Sequence, residues 1–153
     1  MKDATTITIW FDMDGTIADL YGVPDWLPQL RAGNPAPYLA AGSLINLSQL
    51  AKLLHKAQKA GFQIGIISWL SKNSTAEYSQ KVTQAKQKWL KRHLPSVSWD
   101  EIVIVDYGVN KNNFLKTEND ILFDDEQRNR DTWSGQAYEP NLILETLKAM
   151  TML

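Results

Sequence analysis

Cysteine is absent from the 153 residues. That excludes disulfides, thiolate metal sites and cysteine nucleophiles together, and it fits a reducing compartment. Long apolar runs are also missing. The first short one, Ile7 to Phe11, is too brief for a membrane span or a signal peptide and runs into an acidic residue. The sequence therefore reads as cytoplasmic, with no membrane partner. Neither sign of charge dominates: 16 Lys and Arg stand against 17 Asp and Glu, a net charge of -1. Such a balance offers no basic footprint for nucleic acid. Repeats and low-complexity tracts are missing as well. What is present, 44% hydrophobic and 22% charged residues, is the composition of an ordinary globular protein. The length suits one domain with a sizeable core.

The hydrophobic pattern alternates between two periods. Thr5 to Phe11 is rich in β-branched and aromatic residues and predicts a strand. Leu44 to Ala60 carries Leu44, Leu47, Ala51 and Leu54 at helical spacing, with Gly61 placed to cap the end. Phe62 to Ile67 predicts a second strand, buried on both faces. Ser74 and Glu77 have the spacing of a capping box and open a helix to about His93, with Tyr78, Val82, Ala85 and Trp89 as its apolar stripe. Glu101 to Val105 and Asp120 to Phe123 predict two further strands, and Asn141 to Met150 a last helix. The stretch from Gly22 to Pro37 holds Pro24, Pro28, Pro35 and Pro37, too many for one regular helix. Strands alternating with helices imply an α/β protein with a doubly wound, mostly parallel, Rossmann-like sheet. Ligands of such sheets bind beyond the carboxyl ends of the strands.

Those ends are where polar residues gather. The first strand runs into Asp12-Met13-Asp14-Gly15-Thr16, the second into Ser68, and the fourth into Asp124-Asp125. Together with a lysine from a nearby loop, this set suits phosphoryl transfer. A phosphate ester repels a carboxylate nucleophile unless a divalent cation bridges them. Mg²⁺ takes hard oxygen ligands and only a few carboxylates, which Asp12 and Asp124 supply. A hydroxyl and an ammonium stabilise charge on the phosphoryl oxygens. Gly15 lets the backbone turn tightly and approach the phosphate.

The same residues carry a resemblance. Asp12-Met13-Asp14-Gly15-Thr16 resembles the first motif of the haloacid-dehalogenase-like (HAD) phosphohydrolases, Ser68 their second, and Asp124-Asp125 their fourth. Lys111 or Lys116 stands for the third. Lys111, which closely follows the third strand through Asp106-Tyr107-Gly108-Val109-Asn110, is the better placed. The resemblance spans Thr5 to Trp133 and implies roles. Asp12 is the nucleophile that forms an aspartyl-phosphate. Asp14 is the acid and base, with its backbone carbonyl on Mg²⁺. Ser68 and the lysine grip the phosphoryl group, with Gly15 and Thr16 of the first motif beside it. Asp124 and Asp125 hold the metal. The resemblance also makes 17–42 a small cap within a single domain. Asp124-Asp125 followed by Asn129, Trp133 and Gly135 resembles the 5'(3')-deoxyribonucleotidase branch, which implies a nucleoside monophosphate as the small phosphate ester.

Other readings compete. A phosphatase of nucleic-acid ends would need the basic track that this chain lacks. A phospho-accepting switch of the response-regulator kind completes its acidic cluster before the hydroxyl and lysine, the reverse of the order here. Lys81, Lys86, Lys88, Lys91 and Arg92 read as the solvated face of their helix. Trp10, Trp89 and Trp99 read as core. Trp69, next to Ser68, reads as a pocket wall with Tyr21 or Trp26.

Overall fold

The apolar segments pair side by side as the pattern expects, in a computed structural model that describes residues 5–152. Strands β1 (Thr8–Phe11), β4 (Gln63–Trp69), β5 (Glu101–Val105), β6 (Ile121–Phe123) and β7 (Gln136–Tyr138) form one sheet in the order β5-β4-β1-β6-β7. Every neighbouring pair is parallel. The α/β expectation therefore holds. The chain winds outward from β1 through β4 to β5, then returns to β6 on the other side of β1. That reversal leaves a crevice at the carboxyl end of β1, the position where doubly wound sheets take ligands.

Central strand β1 is buried along its whole length, and its alternation feeds two cores. Ile9 and Phe11 join Leu50, Leu54, Ile64, Ile66, Trp89, Phe123, Ile143 and Leu147 in the larger one. These residues come from α3 (Leu47–Lys59), α4 (Ala76–His93) and α6 (Ile143–Thr151) as well as from the sheet. Trp10 points the other way, into a cluster with Ile67, Leu122 and Trp133. Fully burying a side chain of this size is worth about 1.5–3 kcal/mol. Gly65 makes room for the indole: a Cβ there would lie 2.6 Å from the Trp10 ring.

Boundaries moved for local reasons. The first strand is shorter than expected at its start. The helix expected from Leu44 begins at Leu47, because the Asn46 side chain caps it by accepting from Gln49 N at 2.9 Å. Leu44 thus falls outside the helix and is half exposed, and the buried set is Leu50, Leu53, Leu54 and Ala57. Thr75 rather than Ser74 caps α4, accepting from Tyr78 N at 3.1 Å. Strand β4 runs two residues further than expected, so Ser68 and Trp69 are themselves in the sheet. Short elements went unpredicted: the edge strand β7, helix α5 (Gln127–Thr132), and the contents of residues 17–42. That segment begins with β2 (Ala18–Asp19), continues through α1 (Trp26–Arg31) and α2 (Ala36–Ala40), and returns at β3 (Gly42–Ser43), antiparallel to β2. Its prolines sit at or near helix starts, where a missing N–H costs nothing. Among the described residues no helix is long and apolar enough to cross a membrane.

Candidate active site

Sheet hydrogen bonds aim the first two acids. Asp12 N donates to Phe123 O at 2.9 Å and Asp124 N to Tyr138 O at 3.2 Å, so each carboxylate leaves the end of a strand that is still bonded to its neighbour. Lys111 sits in a 3-10 turn over Lys111–Phe114 that Asn110 caps. Its ammonium bridges the acids, 3.0 Å from Asp12 Oδ1 and 2.7 Å from Asp124 Oδ2, and is 1% exposed. Burial lowers the Lys111 pKa, but the charges of Asp12 and Asp124 overcome it and leave the ammonium form favoured. Lys116 lies elsewhere: it pairs with the Glu101 carboxylate, and its ammonium is 5.7 Å from the Trp10 ring centre.

The loop after β1 closes tightly on Met13 O, which accepts from Thr16, Ile17 and Ala18 N at 2.9–3.1 Å. Gly15 takes φ +80°, and a Cβ there would lie 2.3 Å from Asp125 Oδ2. No side chain fits between the two acidic loops. Thr16 is buried beneath the acids. Its hydroxyl donates to Asp12 Oδ2 at 2.9 Å and accepts from Asp125 N at 3.2 Å. Asp124 also takes Asn129 Nδ2 on Oδ2 at 3.1 Å and Glu126 N on Oδ1 at 2.9 Å.

Asp14 and Ser68 belong to a second cluster, which sequence reasoning missed. Lys86 is not on a solvated face. It is 1% exposed, and its Nζ lies 2.9 Å from Asp14 Oδ2, 2.6 Å from Ser68 Oγ and 2.7 Å from Trp69 O. The signal was present in the spacing: Lys86 follows Val82 by four residues and precedes Trp89 by three, which puts it on the stripe that buries. Ser68, 1% exposed, accepts from Lys86, and its own proton has no acceptor among the described residues.

A cavity of about 780 Å³ opens on this arrangement. Asp12, Asp14, Lys111, Asp124 and Asp125 line it, whereas Gly15, Thr16 and Ser68 lie behind the lining. Tyr21, Trp26, Leu30 and Tyr38 from residues 17–42 form one wall and Trp69 and Tyr107 from the strand ends another. Tyr21 and Trp26 meet edge to face, centres 5.0 Å apart. Trp69 is fixed by its Nε1 donating to Val109 O at 2.8 Å, and the Arg128 guanidinium lies 4.7 Å from its ring centre.

Four carboxylates here face two ammonium groups, and the surplus shows in their protonation. Burial, then the charge of Asp12, pushes Asp124 up to about 6 against the pull of Lys111. The same causes push Asp125 up to about 8. Burial also raises Asp14, with Lys86 opposing. Oxygens of Asp12, Asp124 and Asp125 lie within 4.8 Å of one another, a hard-ligand set that suits Mg²⁺. The Asp14 carboxylate is not part of this set, and its Oδ2 is turned to Lys86 at 2.9 Å.

Any divalent cation held by these carboxylates should act in a pH-dependent way. Raised carboxyl pKa values stabilise the fold fully below the ordinary carboxylate range, and that stability is lost as pH rises through about 6 and then about 8. Mg²⁺ should replace the missing protons at high pH and must displace them at low pH. Thermal melts with Mg²⁺ or EDTA should therefore show a larger cation-induced rise in Tm at pH 8 than at pH 5. Equal rises would show that these carboxylates do not hold the ion.

One comparison with solved structures decides the fold. A candidate HAD-like phosphatase from Mesorhizobium loti matches with a TM-score of 0.55 at 14% identity, over 88% of this chain and 71% of that one. The chain has a HAD-like fold. A D,D-heptose 1,7-bisphosphate phosphatase from Burkholderia thailandensis also matches, with a TM-score of 0.49 at 12% identity, over 82% of this chain and 70% of that one. No protein-family model and no curated protein matches the sequence. The HAD-like sheet accounts for the grouping of Asp12, Asp14, Ser68, Asp124 and Asp125, all at or just beyond the carboxyl ends of β1, β4 and β6.

Proposed function

We propose that this protein hydrolyses a small phosphate monoester with Mg²⁺, through an aspartyl-phosphate on Asp12. One observation carries the reading. Asp12 and Asp124, on adjacent parallel strands, are joined by the buried Lys111 ammonium and face a cavity large enough for a metabolite. Asp12 Oδ attacks phosphorus while Asp14 protonates the leaving oxygen, and Asp14 then takes a proton from the attacking water. Lys111 meets charge on the phosphoryl oxygens, and the unclaimed Ser68 proton, just behind the cavity lining, is available to a phosphoryl oxygen that reaches past it. Asp12, Asp124, Asp125 and the Asp14 carbonyl would hold Mg²⁺, which supplies Lewis-acid charge when bound. Residues 17–42 act as a small cap.

The test is steady-state phosphate release from p-nitrophenyl phosphate with Mg²⁺ and with EDTA. Many turnovers with Mg²⁺ and none with EDTA support the reading. Release that stops near one equivalent would instead mark a phospho-accepting switch.

Within this class we place nucleoside monophosphates first. Flat rings line both walls of the cavity, and aromatic faces suit a base. Net charge -1 gives no track for a polymer. Trp26→Ala should raise KM for the best nucleotide roughly tenfold, about 1.4 kcal/mol, and leave p-nitrophenyl phosphate almost unchanged, since binding shared by ground and transition states appears in KM. Trp69→Ala should lower kcat as well, because the Lys111 ammonium lies 5.5 Å from that ring centre. Equal effects of Trp26→Ala on both substrates, or faster hydrolysis of a 5'-phosphorylated oligonucleotide than of any monoester, would overturn this assignment.

A further inference from the structure

We propose that Lys86 is a positioning residue for proton transfer, holding Asp14 Oδ2 so that Oδ1 is the oxygen that carries and returns the proton. The inference rests on the phosphatase reading above.

Lysine has three N–H donors, and Lys86 spends all of them on three fixed acceptors: Asp14 Oδ2, Ser68 Oγ and Trp69 O. Those acceptors come from the loop after β1 and the end of β4, while Lys86 itself comes from the middle of α4. The ammonium thus ties three parts of the fold to one carboxyl group. The Tyr38 ring of α2 closes over it, 5.1 Å from Nζ to the ring centre. Packing alone does not call for a charge here. A buried ammonium is costly to desolvate, and an apolar side chain of similar length fills such a site at least as well. Lys86 does not line the cavity, whereas Asp14 does, so Lys86 acts on chemistry through the groups it holds, and the Asp14→Asn background separates Asp14 from Ser68.

An ammonium hydrogen-bonded to one carboxyl oxygen disfavours a proton on that oxygen. Oδ1 of Asp14 has no partner among the described residues, so a proton that this carboxyl group carries sits on Oδ1 rather than Oδ2. The contact also keeps the carboxyl group from turning over. In the first step an Asp12 oxygen bonds to phosphorus as the ester P–O bond breaks. The electron pair stays on the leaving oxygen, which takes the proton from Asp14 Oδ1. In the second step water bonds to phosphorus and gives a proton back to Oδ1. The bond from phosphorus to Asp12 breaks, releasing orthophosphate.

The leaving group tests this. An alkoxide needs the proton as it departs, and p-nitrophenolate does not. Lys86→Met preserves length and apolar packing. It should lower kcat for ethyl phosphate about 10²-fold, the usual size of a lost general-acid contribution, and for p-nitrophenyl phosphate less than about tenfold, with KM nearly constant. Placed on top of Asp14→Asn, it should cost no more. Melting curves verify the fold, and Lys86→Arg, which keeps the charge and donors, should fall between wild type and Lys86→Met on ethyl phosphate. Equal losses on both esters, an unchanged kcat in the folded variant, or a full further loss in the Asp14→Asn background would overturn the inference alone. A wild type that hydrolyses no monoester would overturn the phosphatase reading and this inference with it.

Discussion

Asp12→Asn is expected to abolish turnover, lowering kcat on the order of 10⁴- to 10⁶-fold, the range seen when a member of a nucleophilic unit is removed. The amide is too weak a nucleophile to attack a phosphoester, and it surrenders one negative charge from the group of three carboxylates that lie within 4.8 Å of one another. The fold should survive. Asn keeps the shape of Asp, its carbonyl oxygen can still accept from the Thr16 hydroxyl, and Lys111 retains Asp124 at 2.7 Å. The backbone bond from residue 12 to Phe123 O is untouched. Phosphate release under saturating Mg²⁺, with a melting curve alongside, checks both halves. A folded Asp12→Asn protein with near-normal activity would sink the mechanism.

Lys111→Ala should slow catalysis about 10²- to 10³-fold, the usual cost of losing a donor aimed at developing charge, while Lys116→Ala should change kcat by less than about twofold. The two lysines differ in surroundings more than in sequence. Lys111 is 1% exposed between two carboxylates that line the cavity. Lys116 is about one-third exposed beside Glu101, at the amino end of β5, away from the catalytic edge. Removing one member of a buried ionic cluster costs about 3–5 kcal/mol of stability in either variant; Lys111→Met adds no packing loss to that and is the better comparison for kinetics. If Lys116→Ala is the crippled variant and Lys111→Met the active one, the assignment is reversed.

The strands that carry the site were readable because each is an apolar run ending abruptly in Asp or Ser, a local pattern that needs no knowledge of the rest. Parallel pairing follows from the intervening helices. What was lost had no local mark. Strand β7, Gln136-Ala137-Tyr138, is three residues at a sheet edge and exists because Ile121, Leu122 and Phe123 offer it a partner. Helices α1 and α2 are too short for periodicity to show between prolines. Lys86 was masked by composition: among five cations on one helix it looked like its neighbours, although its position matched the buried stripe. The spacing held the answer, and residue type overrode it. The expected second strand stops at Ile67 with Ser68 at its end, yet the partners on β5, Ile104 and Val105, extend it through Ser68 and Trp69.

The ribbon that opens and closes residues 17–42 has a consequence for how such a protein can change. Ala18 pairs with Ser43 and Asp19 with Gly42, and Leu44 N donates to Ile17 O at 3.0 Å. The excursion leaves and returns through one clasp, and between its ends it packs on α4: Leu20 and Tyr38 share a buried cluster with Tyr78, Val82 and Ala85, and Ala41 O accepts from Trp89 Nε1 at 2.8 Å. Closing a longer excursion costs little, about 0.6 kcal/mol for each doubling. A foreign stretch grafted between Asp19 and Gly42 would have to cover that face of α4 again, while Asp12 and Asp124 stay at the ends of the paired strands β1 and β6. It would take away Tyr38 above Lys86 and the Tyr21–Trp26 pair. On the proposed reading, the wall that meets the organic half of a substrate can vary more freely than the carboxylates that meet phosphorus.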